Sequence, residues 1–234
     1  MNKKHIALFL LSFAASAALS SPICDDLAAR QSAFFSEGGM IPIAYLESTG
    51  TQWIDLDLNS TADRFCDFDM SFQKTDVDRG ANFPSYFAPF GYQYGASARY
   101  GIWGGTNNTV QDLFCGIAYG FNVSFSKDTE WHTLSVRNGD YIAVDGEVTA
   151  ATRQSVRANI NIALFAINRA FSGFGNYLVV PARISSFRIW DVDGNLLRDM
   201  VPVRINSEGF MYDLANDVLY GNDGTGSFLL GPDL

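Results

Sequence analysis

The groups in this 234-residue chain equipped for chemistry are two close carboxylate pairs, one histidine beyond the first few residues, three cysteines and a dense aromatic tract. Asp55-Leu-Asp57 and Asp67-Phe-Asp69 each place two carboxylates on one face of a strand, because side chains alternate with a period of two. A retaining glycosidase needs two carboxyl groups about 5 Å apart, one as nucleophile and one as general acid. Neither pair has a glutamate beside it, and a solvated strand face accounts for both. A Ser/His/Asp set fails for want of material: after His5, His132 is the only histidine, and it alternates with polar neighbours alongside Leu134 and Val136, as a packed core residue would. Zinc finds almost no ligands here. The expectation is a chain without catalytic residues.

The aromatic tract suggests binding instead. Residues 83–103 hold six Phe or Tyr between Phe83 and Tyr94, then Tyr100 and Trp103, with glycines between and no acids. Sugars lay their apolar C–H faces on aromatic rings, and amides bond their hydroxyls. On that reading the exposed members are Tyr92, Tyr94, Tyr100 and Trp103, whose polar ends tolerate water. Trp103 would stand on a glycine-rich loop at the rim, and Asn107 and Asn108 would supply amides. The alternative places these rings in the core.

Composition narrows the partners. The net charge is −9, and no basic run exceeds two residues, so a phosphate backbone has nothing to hold on to. Lys3 and Lys4 precede an uncharged run from Ile6 to Leu19, with small residues at Ala18 and Ser20, the pattern of a cleavable signal peptide over residues 1–20. Without those lysines the charge falls to −11. The chain is therefore expected to be secreted, periplasmic or at the cell surface, with no transmembrane segment in its mature form. Such a compartment permits one disulfide among Cys24, Cys66 and Cys115. Cys66 shares parity with Phe68 and Met70, and Cys115 with Leu113 and Ile117, so that pair is expected to form the bridge.

The elements that must position these groups are strands. Residues 131–148, WHTLSVRNGDYIAVDGEV, alternate cleanly and carry Asn138-Gly139 and Asp145-Gly146, the turn pairs of a tight antiparallel meander. Phe65–Phe72, Ile160–Ile167, Arg183–Trp190, Leu196–Ile205 and Phe210–Leu214 repeat the pattern between turn signals. Residues 21–40 form a tether with one short helix, and residues 41–234 a single domain. About a dozen short strands predict an all-β, two-sheet antiparallel sandwich.

Three stretches resemble a known class. IAYLESTGTQWIDLDL at 43–58, the 131–148 meander, and FRIWDVDGNLLRDMVPVRI with GFMYDLANDVLYGNDGTGSFLLGP look like the opening, central and closing strands of laminin-G-like, concanavalin A-like domains of bacterial and phage surface proteins. The resemblance implies a jelly-roll sandwich. It also implies calcium at the rim, for which Asp217, Asn222 and Asp223 are the candidate ligands; no other cofactor is expected. The class includes lectins, glucanases and adhesion modules, and fold alone does not choose among them. The function expected is non-catalytic binding of glycan or another extracellular surface ligand. A structural or adhesion module that binds a protein is the alternative, and a glycoside hydrolase comes after it.

Overall fold

The computed structural model describes residues 39–59, 67–75, 89–94, 98–104, 112–117, 123–126, 129–137, 139–151, 160–169 and 177–234. The expected leader, the helix of the tether, Cys24, Cys66, Asn107 and Asn108 lie outside them. No helix among the described residues is long and apolar enough to cross a membrane.

Among the described residues nineteen strands form two sheets, antiparallel apart from one parallel pair, Asn168 with Tyr92. The first sheet begins with β1 (Met40–Pro42) and β2 (Leu46–Thr49), and the second with β3 (Ile54–Asn59). The first continues in β4 (Asp67–Lys74). The second resumes with β5 (Phe90–Tyr94), β6 (Ala98–Gly104), β7 (Asp112–Ile117) and β8 (Val123–Ser126). The meander supplies β9 (Trp131–Arg137), β10 (Tyr141–Val144) and β11 (Glu147–Ala150) to the first sheet. The second sheet is completed by β12 (Asn161–Leu164), β13 (Ala166–Asn168) and β14 (Tyr177–Val179). β15 (Pro181–Trp190), β16 (Leu196–Ile205), β17 (Glu208–Asp213), β18 (Val218–Tyr220) and β19 (Leu229–Leu230) complete the first. Its backbone of pairings runs β11-β10-β9-β4-β15-β16-β17-β18, with β2 beside the start of β15 and β1 beside the end of β16.

Alternation creates the core. Phe68, Met70 and Phe72 of β4, Leu134 and Val136 of β9, and Ile184, Phe187 and Ile189 of β15 face one way. They meet Ile54, Leu56, Phe90, Tyr92, Tyr100, Ile162 and Leu164 from the second sheet in one cluster. Rings cross the interface: Phe68 lies 5.0 Å from Phe90 and 5.4 Å from Tyr100, and Phe187 lies 4.6 Å from Phe90. The all-β sandwich is thus as expected.

Local chemistry explains the departures. The second turn of the meander has two residues, Asp145 (φ 50°) and Gly146 (φ 86°), as a type I′ turn requires. The first has three, because Arg137 pairs with Tyr141. The strand expected over 160–167 is broken at Phe165, whose φ of 61° directs the chain from β12 into β13. Residues 222–234 return along 42–55 as a strap. β19 pairs with β2, Ile43 bridges Asp233, Ala44 N–H donates to Pro232 O (2.8 Å), and Gly231 N–H donates to Tyr45 O (3.0 Å).

Candidate functional site

The expected aromatic platform does not hold as proposed. Tyr92 and Tyr100 are fully buried and stacked on each other at 6.0 Å between the sheets. Phe90 and Tyr92 sit two apart on β5 and so share a face, which the phenolic hydroxyl does not change. Trp103 belongs to β6, register-paired with Phe114, and is not in a loop. The neighbouring glycines serve a different purpose. Gly91 and Gly101 face each other across β5 and β6 at φ 131° and 127°, and a Cβ on Gly101 would lie 2.2 Å from Phe90 O. Of Tyr94, Trp103 and Cys115 only the backbone is described.

The proposed calcium ligands have fastening roles. Asn222 Oδ1 accepts the N–H groups of Gly224 (2.8 Å) and Trp53 (3.3 Å), and its amide donates to Gly226 O (2.8 Å). Asp223 Oδ2 accepts Asp55 N–H at 2.7 Å. Asp217 stands elsewhere, in the turn between β17 and β18, accepting the Tyr212 hydroxyl. These oxygens are used on the chain's own donors, and among the described residues no three His, Cys, Asp or Glu side chains are grouped to hold a metal. His132 packs inward as expected, 5.9 Å from the Phe72 ring, with Nδ1 2.7 Å from Asp145 Oδ2.

What the fold does assemble is the outward face of the first sheet. Turning Phe68, Met70 and Phe72 inward turns Asp67, Asp69, Ser71 and Gln73 outward on β4. The same alternation exposes Trp131, Thr133, Ser135 and Arg137 on β9, and Arg183, Ser186, Arg188 and Trp190 on β15. Register then aligns them in rows. Glu47, Arg183, Gln73 and Trp131 stand across four neighbouring strands. Ser186, Ser71 and Thr133 form the next row, and Trp190, Asp67, Arg137 and Tyr141 close the far end. Between the two ends lie the short hydroxyls of that row and a further row of Arg188, Asp69 and Ser135.

Each end pairs an aromatic ring with an anchored arginine. At the first, the Arg183 guanidinium lies 4.5 Å from the Tyr45 ring, donates from Nε to Glu47 (2.6 Å) and from Nη1 to Gln73 (3.0 Å). Trp131, 40% exposed, is 6.0 Å from that Tyr45 ring. The strap holds Tyr45 in turn through its carbonyl. At the second end, Arg137 lies 4.8 Å from the Trp190 ring and makes a forked pair with Asp69 at 2.7 and 2.9 Å. Burial opposes the Arg137 charge, but the hydrogen bond and charge of Asp69 outweigh it and raise its pKa. Arg188 joins the face to Asp199 at 2.9 Å; burial raises the Asp199 carboxyl, against the hydrogen bond and charge of Arg188.

No protein-family model matches the chain, and no curated protein matches it in sequence. A solved structure of a Bacteroides ovatus protein, provisionally described as carbohydrate-binding, superposes with a TM-score of 0.48 at 13% identity. The match covers 82% of this chain, which spans 60% of that one. A TM-score below 0.5 at that identity does not establish a shared fold.

Sequence reasoning passed over Tyr45, Gln73, Trp131, Arg137, Arg183 and Trp190. One signal was available: Trp131 shares parity with Thr133, Ser135 and Arg137, and a large ring on the polar side of a strand is a surface feature without a packing reason. The Asp67–Asp69 pair lies on an outward face, as expected.

Proposed function

We propose that this chain is an extracellular, non-catalytic glycan-binding module of the concanavalin A-like class, and that it binds through the outward face of the first sheet. The observation that carries this is the pairing of an aromatic ring with a fixed arginine–carboxylate group at each end of the face, joined at one end by the Gln73 amide, with Ser71, Thr133, Ser135 and Ser186 between them. Rings supply stacking surface for C–H faces, and the anchored polar groups offer donors and acceptors already in place, so little ordering is needed on binding. A non-catalytic role is supported by the use made of the acids: Asp69 is held by both terminal nitrogens of Arg137, and Glu47 by Arg183. Neither is poised to give or take a proton at a glycosidic oxygen.

A glycan-array screen of the purified domain, repeated with Trp131→Ala and Trp190→Ala, tests the reading. Binding that both variants lose while their melting temperatures stay near the parent's supports it. Binding that survives both substitutions moves the site off this face, and release of reducing sugar from any bound glycan makes the protein an enzyme.

A further inference from the structure

The face has a charge balance and a length, and together they specify a class of ligand. Its three outward arginines each have a carboxylate partner: Arg137 with Asp69, Arg183 with Glu47, Arg188 with Asp199. Asp67 adds a further acid, in register with Arg137. The described face therefore carries no surplus positive charge. A uronate or sulfate group would have to displace a carboxylate already tethered beside its arginine, and would then meet that carboxylate as a like charge. A neutral hydroxyl group meets no such barrier, since Ser71, Thr133 and Ser186 both donate and accept.

Length follows from register. Trp131 is opposite Gln73 and Trp190 opposite Asp67, at the two ends of one stretch of β4. Six residue steps at about 3.4 Å each separate those rows by roughly 20 Å. One sugar ring covers one aromatic side chain and cannot reach both ends.

Resting on the glycan reading above, we infer that the face takes an uncharged glycan of several units laid along β4, and neither an acidic polysaccharide nor a single terminal sugar. The rings at the ends stack its outer units, and the serine and threonine hydroxyls with the paired Asp69 and Arg188 between them meet the middle ones.

The experiment titrates the domain with neutral β-glucan and mannan oligosaccharides of increasing length, and with oligogalacturonate and sulfated oligosaccharides of matched length. Each titration is followed by calorimetry at low and high salt. Neutral chains are expected to gain about tenfold or more in affinity between one unit and the length that spans both ends, with little effect of salt. Trp131→Ala and Trp190→Ala should each flatten that dependence on length. Thr133→Trp, at an exposed position between the two ends, should weaken the longest chains by obstructing their path along β4. Tighter binding of the acidic series that fades as salt rises overturns the inference while leaving the glycan reading standing. So does a monosaccharide that binds as tightly as the longest chain. If no member of any series binds, the glycan reading itself fails, and the inference with it.

Discussion

Arg183 is the residue whose replacement separates a surface that merely contains aromatics from one that holds them in place. Arg183→Ala removes three interactions together: the ion pair to Glu47, the hydrogen bond to Gln73 and the stack against Tyr45. The arginine side chain is 32% exposed and the glutamate 14%, so the pair falls between an exposed ion pair, at most about 1 kcal/mol, and a fully buried one broken from one side, about 3–5 kcal/mol. About 2 kcal/mol is a fair value after discounting for solvent. The hydrogen bond adds about 1 kcal/mol and the cation–π contact about 0.5–1 kcal/mol. Arg183→Ala should therefore destabilise the domain by roughly 3–4 kcal/mol, a sizeable part of the 5–15 kcal/mol typical of a folded domain. Arg183→Lys is the sharper test. It returns a charge to Glu47 but neither the planar stack nor the second donor, so it should restore about half of that stability. Affinity should remain about tenfold or more below the parent's, because Tyr45 is still unsupported. Urea unfolding measures the first quantity and calorimetric titration with a neutral oligosaccharide the second, both on protein shown to be folded. A lysine variant that binds as tightly as the parent would refute the argument that the guanidinium orients the ring.

Three further outcomes follow from the packing. Gly101→Ala drives a Cβ into Phe90 O at a φ no L-residue favours, and should cost about 3–5 kcal/mol by urea unfolding; a loss under about 1 kcal/mol would mean the strands can separate freely there. Asp213 is fully buried and accepts from Asp199 N–H, Ala215 N–H and the Asn216 amide, with Arg198 3.5 Å away, so Asp213→Ala should cost about 3–5 kcal/mol, read as a fall in melting temperature. The Tyr212 hydroxyl has its pKa raised, by burial first and then by the hydrogen bond and charge of Asp217 and the charge of Asp213. Above about pH 10 the unfolded phenol loses its proton while the folded one keeps it, so stability declines as pH rises there. Tyr212→Phe should flatten that decline in urea midpoints measured across alkaline pH.

Strand period was legible because it depends on neighbours in sequence: the 131–148 meander, β16 and the inward set Phe68, Met70 and Phe72 all follow from alternation. The direction of a face was harder to read. Tyr92 looked exposed for its hydroxyl and Phe90 buried for lacking one, yet the two occupy one side of one strand. Glycines misled for a related reason. Gly101 and Gly104 suggested a loop around Trp103, whereas Gly101 marks a close approach between strands. The candidate site was least legible of all. Tyr45, Gln73, Trp131, Arg183 and Trp190 come together only through the registers of β2, β4, β9 and β15, and no local pattern encodes a register between strands so distant in sequence.

The strap has a consequence for the order of events in folding. Tyr45 stands near the start of the described chain, yet its carbonyl is held by Gly231, and Ala44 by Pro232. Contacts between such distant residues raise the contact order, and topologies of that kind fold slowly because the loop must close before the contact can form. A chain emerging from its N-terminus would have most of the sandwich core at hand, but the aromatic end of the face would remain unfinished until residues 229–234 had returned to β2. Core formation and binding competence should then separate in time, with binding the later to appear on refolding.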